Sequence, residues 1–177
     1  RDDTRPYGSR VLFESLPSLF PDADTVRAVP TTPYLWLQNT TARRPRPRSA
    51  YLFVTSDLQL DPPEARAVLD HVSKGNAAFL AAQRFSGPLA DSLTLATSLQ
   101  FTVDSVEEVM TDSSTTRLHL SADNMQHIDG SPVRRDAARY AFSAVDTAGT
   151  TVLGTNADGT PTLIRTAWGE GHLILSS

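Results

Sequence analysis

The clearest hydrophobic pattern lies between Tyr51 and Ala82, where YLFVTSDLQLDPPEARAVLDHVSKGNAAFLAA predicts a complete parallel β-α-β unit. Tyr51 to Thr55 is an aromatic and β-branched run without polar alternation, as in a strand buried on both faces. Asp61 is placed to cap the next helix, Pro62 takes the first helical position, where no backbone N–H is needed, and Glu64 completes a capping box. Ala65, Val68, Leu69 and Val72 recur at i, i+3, i+4 and i+7, one apolar stripe to lay on a sheet. Lys74 suits the carboxyl end of that helix, Gly75 predicts its left-handed stop, and Asn76 to Ala82 reads as the second strand. With so short a helix between them, the strands are expected to be parallel and joined by a right-handed crossover.

The flanking patterns are shorter. Pro6-Tyr7-Gly8-Ser9 predicts a turn into a helix carrying Leu12, Leu16 and Leu19, with a break or new start at Pro17. Thr25 to Val29 reads as a short strand. Residues 30–50 read as loop, since prolines at 30, 33, 45 and 47 forbid a continuous helix or central strand, and Tyr34 to Leu37 forms an apolar knot within it. Pro88 to Leu99 predicts a helix with Leu89, Leu93 and Ala96 on one side. Phe101 to Val103, Arg117 to Ser121, Arg139 to Val145 and Thr150 to Gly154 read as strands, with polar loop over 104–116 and irregular chain over 122–138. Pro161 to Trp168 and His172 to Ser176 flank Gly169-Glu170-Gly171, a hairpin signal. The expected architecture is a single α/β domain over residues 1–177, with parallel strands in the first half and a C-terminal antiparallel hairpin.

Composition narrows the class. With 177 residues, 40% hydrophobic and 20% charged, the chain can bury a core without metals or disulfides. A net charge of −4 speaks against nucleic acid as a partner. The absence of cysteine excludes disulfides, thiolate catalysis and cysteine-ligated metals. No stretch reaches the length of a membrane span. The chain opens on RDDTR and stops at HLILSS inside a predicted strand, so an excised soluble part of a longer protein is expected.

In open α/β sheets ligands bind beyond the carboxyl ends of the strands. Two predicted loops lie there, residues 56–60 and 83–87. They hold Asp57, a carboxylate that can act as base or ligand or simply cap its own loop, together with Gln83, Arg84 for an anionic group and Ser86 as a hydroxyl. Ser86-Gly87 lacks the leading glycine of a G-x-S-x-G elbow. The histidines His71, His119, His127 and His172 are scattered, with His71 expected on the exposed side of its helix, so no metal or cofactor is expected. Asp123 to Asp129 lacks the order of a calcium loop, there is no phosphate-cradling glycine motif, and Asn39-Thr40-Thr41 matches a glycosylation pattern that recurs by chance. Arg43, Arg44, Arg46 and Arg48 form the basic cluster, which reads as a solvated loop or as a contact for an anionic surface.

The PYGSRVLFESL helix, the LFVTSDLQLDPPEARAVLDHVSKGNAAFLAA unit and the closing VLG…PTLIRTAWGEGHLILSS block together resemble the bacterial domain of unknown function 4350. That family resembles the class I glutamine amidotransferase-like superfamily, which implies a flavodoxin-like three-layer α/β sandwich. Catalytic members place a cysteine in a tight elbow after the strand that here ends Leu80-Ala81-Ala82-Gln83, so the elbow falls near Ala82 or Gln83, neither of which can attack a carbonyl. No catalytic residue carries over. The resemblance implies a non-catalytic binding or assembly module of a membrane-anchored bacterial envelope protein, with an unidentified protein partner and membrane proximity through flanking segments. The alternatives are a hydrolase, or a sugar- or nucleotide-binding domain, using Asp57, Arg84 and Ser86.

Overall fold

The computed structural model describes residues 9–41, 48–100, 115–120, 131–134, 139–146 and 148–177. The chain divides into two compact units, Arg1–Thr32 and Pro33–Ser177. In the first, α1 (Ser9–Leu19) runs through Pro17 rather than breaking there. Pro17 falls in the last turn, where the absent N–H costs a single intrahelical bond. Thr25 to Val29, expected as a strand, is irregular.

The second unit is mixed α/β. It begins with α2 (Pro33–Thr41), where a loop was expected. Pro33 occupies the first helical position, which proline tolerates, and the apolar knot is explained by Leu37, buried in the core at 6% exposure. The predicted β-α-β unit follows as β1 (Ala50–Gln59), α3 (Pro62–Ser73) and β2 (Ala77–Ser86). Asp61 accepts from Glu64 N at 2.8 Å, Glu64 reaches back to the Asp61 N–H, and Gly75 ends the helix at φ +87. The stripe Ala65, Val68, Leu69 and Val72 is buried as predicted.

Downstream the elements are α4 (Pro88–Ser92), β3 (Ala96–Leu99), β4 (Thr115–Leu120), β5 (Ser131–Arg134), β6 (Tyr140–Ala144), β7 (Thr150–Thr155), β8 (Pro161–Trp168) and β9 (Gly171–Ser176). The helix expected over Pro88 to Leu99 stops at Ser92. Thr94 turns the chain at φ +52, and β3 then pairs with β6, so tertiary pairing overrides a helical pattern. β5 falls inside the stretch expected to be irregular, paired to β4. The expected strand over Phe101 to Val103 lies outside the described residues.

Among the described residues seven strands form one sheet in the order β1-β2-β9-β8-β7-β4-β5, and β3-β6 is a separate ribbon. β1, β2 and β9 are parallel, and every later neighbour is antiparallel. Register carries Phe53 to Leu80, Leu80 to Leu175 and Leu175 to Ile164. Leu80, Leu175 and Ile164 are fully excluded from solvent along with Val68 and Val72 of α3, so the core lies between α3 and this face.

Candidate functional site

The segments expected to form loops at the strand ends are strand. Pairing of β1 with β2 continues through Asp57↔Arg84, Leu58↔Phe85 and Gln59↔Ser86. Leu58 and Phe85 supply the reason, because both are buried and hold the two strands together past the expected ends. Phe85 also stacks on Phe142 of β6, with ring centroids 5.7 Å apart, and its N–H donates to Thr97 Oγ1 of β3.

Of the four candidate residues, Asp57 and Arg84 meet. Arg84 Nε donates to Asp57 Oδ1 in a cross-strand ion pair, with the Arg84 side chain 62% and the Asp57 side chain 51% exposed. The carboxylate raises the pKa of the guanidinium by hydrogen bond and charge. Each group neutralises the other, which leaves neither a free base nor a free anion receptor. Gln83 and Ser86 are exposed, and their side chains join no hydrogen bond among the described residues. Ala82, at the place of the elbow, is buried in a regular strand. Thr94, remote from that place, is the non-glycine residue with positive φ among those described. Of the basic cluster, Arg48 is exposed, and Arg43, Arg44 and Arg46 lie outside the described residues.

His71 corrects an expectation. It is half-buried rather than solvent-facing, and its Nε2 is enclosed without a hydrogen-bond partner. Burial lowers its pKa, with help from Lys74. Burial also lowers that of His172, aided by Arg165. Among the described residues no three His, Asp or Glu side chains gather as a metal site.

A groove lies elsewhere, along α3 beside α4. Arg66, Asp70 and Leu69 of α3 form one wall, Pro88 and Ser92 of α4 stand opposite, and Trp168 at the end of β8 borders it. Its volume is about 320 Å³, at the lower end of the range for small-molecule sites. Trp168 is positioned by the turn that follows it. Glu170 N donates to Ser73 O at 3.0 Å, and His172 N to Asn76 O at 3.4 Å. Gly169 and Gly171 permit this: a Cβ at Gly169 would sit 2.7 Å from Ser73 Cα, and one at Gly171 would sit 2.1 Å from Asn76 O. The Gly-Glu-Gly segment thus does more than turn a hairpin, since it pins the sheet to the end of α3. Sequence reasoning missed Arg66, Asp70 and Trp168. The available signal was an Arg–Asp pair four apart beside the apolar stripe, and a tryptophan against a double-glycine turn.

A family model described as a domain of unknown function, DUF4350, matches residues 1–177. The chain belongs to the DUF4350 family. No curated protein matches it. Solved structures similar to this DUF4350 chain include a cytoplasmic protein from Salmonella typhimurium LT2, at 11% identity and TM-score 0.46, covering 72% of this chain and 59% of that one. They also include a β-galactosidase from Bacillus circulans sp. alkalophilus, at 14% identity and TM-score 0.47, covering 73% and 20%. An exo-β-1,4-mannosidase from an Opitutaceae bacterium, strain TAV5, has 12% identity and TM-score 0.45, covering 99% and 28%. The DUF4350 chain therefore spans about three-fifths of the first of these proteins and under a third of the other two. Among its described residues no helix is long and apolar enough to cross a membrane.

Proposed function

We propose that this DUF4350 chain is a non-catalytic binding or assembly module of a bacterial envelope protein, built on an amidotransferase-like, flavodoxin-like scaffold. The observation that carries the reading is the unbroken strand at the elbow. β2 passes straight through Ala82 and Gln83 with no exposed nucleophile and no strained turn. A thiolate mechanism has no residue to run on, because the chain contains no cysteine. The parallel core β1-α3-β2-β9 and the capped crossover helix support the scaffold assignment. The hydrolase reading finds Asp57 engaged by Arg84 and Ser86 without a base hydrogen-bonded to it among the described residues. The envelope assignment rests on the resemblance alone, and it carries with it a protein partner and contact of the Arg43–Arg48 cluster with an anionic surface.

The test is turnover of glutamine and of chromogenic ester, phosphate and glycoside substrates by the wild type and by Asp57→Asn, Arg84→Gln and Ser86→Ala. No turnover above buffer is expected. Turnover that one of these substitutions abolishes overturns the reading. Fractionation of the full-length protein from its native host checks the location, and recovery wholly in the cytosolic fraction overturns the envelope assignment.

A further inference from the structure

We propose that the groove between α3, α4 and Trp168 binds a neutral saccharide, with one sugar ring laid on the indole. The proposal deepens the binding-module reading by assigning a ligand class to a place away from the strand ends.

Three polar side chains at the groove have no protein partner among the described residues, which leaves them to solvent or to a ligand. Arg66 and Asp70 stand four residues apart on α3, yet neither makes an ion pair or side-chain hydrogen bond among the described residues. Their order, cation before anion, is the less favourable one for pairing along a helix. The Trp168 indole N–H likewise has no protein partner among the described residues. The groove therefore offers one strong acceptor, a fork of donors and a further single donor. Ser73 and Ser92 border it too, but their hydroxyl protons are already committed, to Asp70 O at 3.0 Å and Pro88 O at 2.7 Å. They face a ligand as acceptors.

These groups suit a sugar better than other ligands. One guanidinium and one carboxylate leave the lining neutral, which gives an anion or a cation no advantage. Trp168 borders the groove half-buried, and an indole ring carries negative potential on its π face, complementary to the weakly positive C–H face of a pyranose. The ring's equatorial hydroxyls can then exchange hydrogen bonds with the carboxylate and guanidinium, as charge-assisted bonds. A proline-rich peptide needs several aromatic walls to dock its helix, and Trp168 is the groove's single aromatic residue. The glycine turn holds Trp168 against α3 before any ligand arrives, so little ordering cost falls on binding.

The chain has two tryptophans, so Trp36→Phe isolates the fluorescence of Trp168. That protein is titrated with cellobiose, maltose and N,N′-diacetylchitobiose, and with a proline decapeptide as comparison. A saturable change with at least one saccharide is expected. Asp70→Asn and Arg66→Gln each weaken it roughly tenfold or more, the worth of one hydrogen bond to a charged group. Calorimetric binding disappears in Trp168→Ala, whose folding is checked by circular dichroism. The two helix variants lie on an exposed face and keep the test valid if Trp168→Ala misfolds. No saturable response to any of the three sugars overturns the proposal, as does a response indifferent to Arg66 and Asp70, or a stronger one to the peptide. Cleavage of a bound sugar would overturn the non-catalytic reading while leaving this groove assignment standing. Absence of binding would remove the assignment without touching the turnover result.

Discussion

Replacing Gly171 with alanine should be among the most damaging single-methyl changes in this fold. A Cβ there would lie 2.1 Å from Asn76 O and 2.2 Å from Val72 O. Both are backbone oxygens, one in the last turn of α3 and one between α3 and β2, so no flexible side chain can swing aside. Relief requires the β8–β9 turn to lift from the helix. That movement strains or breaks the bonds from Glu170 N to Ser73 O and from His172 N to Asn76 O. Overpacking of this kind costs about 1–3 kcal/mol, and each bond contributes about 0.5–1.5 kcal/mol net. The expected loss is thus about 2–6 kcal/mol. Urea unfolding followed by circular dichroism reads it as a fall in midpoint on the order of 1–2 M, given ordinary denaturant slopes. Gly149→Ala is the control, because its Cβ meets nothing within 4 Å and its φ is not left-handed. It should be neutral or stabilising by about 0.4–1 kcal/mol through the unfolded chain. Equal midpoints for the two variants would refute the claim that the turn is wedged against α3.

Two further outcomes follow from the same geometry. Folding keeps His71 neutral, with its pKa held below the usual value by burial and by Lys74, so the unfolded chain takes up the proton first as pH falls. Stability should be full above about pH 6.5 and decline from there down through the lower folded value. His71→Leu should remove part of that decline, leaving the share due to His172, and identical urea midpoints-versus-pH curves for the two proteins would count against the enclosed imidazole. Asp61→Ala removes the bond that the Asp61 carboxylate accepts from Glu64 N and should cost about 1 kcal/mol, with faster amide exchange in the first turn of α3; unchanged exchange there would show the cap to be idle.

The β-α-β unit could be read from the chain because its signals are local. Asp61, Pro62 and Glu64 cap one another within a few residues, the stripe from Ala65 to Val72 needs only helical periodicity, and Gly75 marks its own left-handed stop. The closing hairpin was legible for the same reason. Signals that depend on a distant partner misled. Thr25 to Val29 has strand character but is irregular, whereas Ala96 to Leu99 has helical spacing and is drawn into a ribbon by β6.

The candidate site shows the same division. The chain predicted Asp57, Arg84 and Ser86 in loops beyond two parallel strands, whereas they lie in the last residues of the strands themselves. Only the tertiary structure decided that burial of Leu58 and Phe85 extends those strands, and that the extension turns Asp57 and Arg84 into a pair spent on each other. It also brought Trp168 to Arg66 and Asp70 across about a hundred residues of sequence. Sequence by itself determined the crossover unit and ruled out thiolate chemistry, because capping, periodicity and residue inventory act locally. Tertiary structure decided which polar groups remain unpaired and around which cavity, because that depends on contacts between elements remote along the chain.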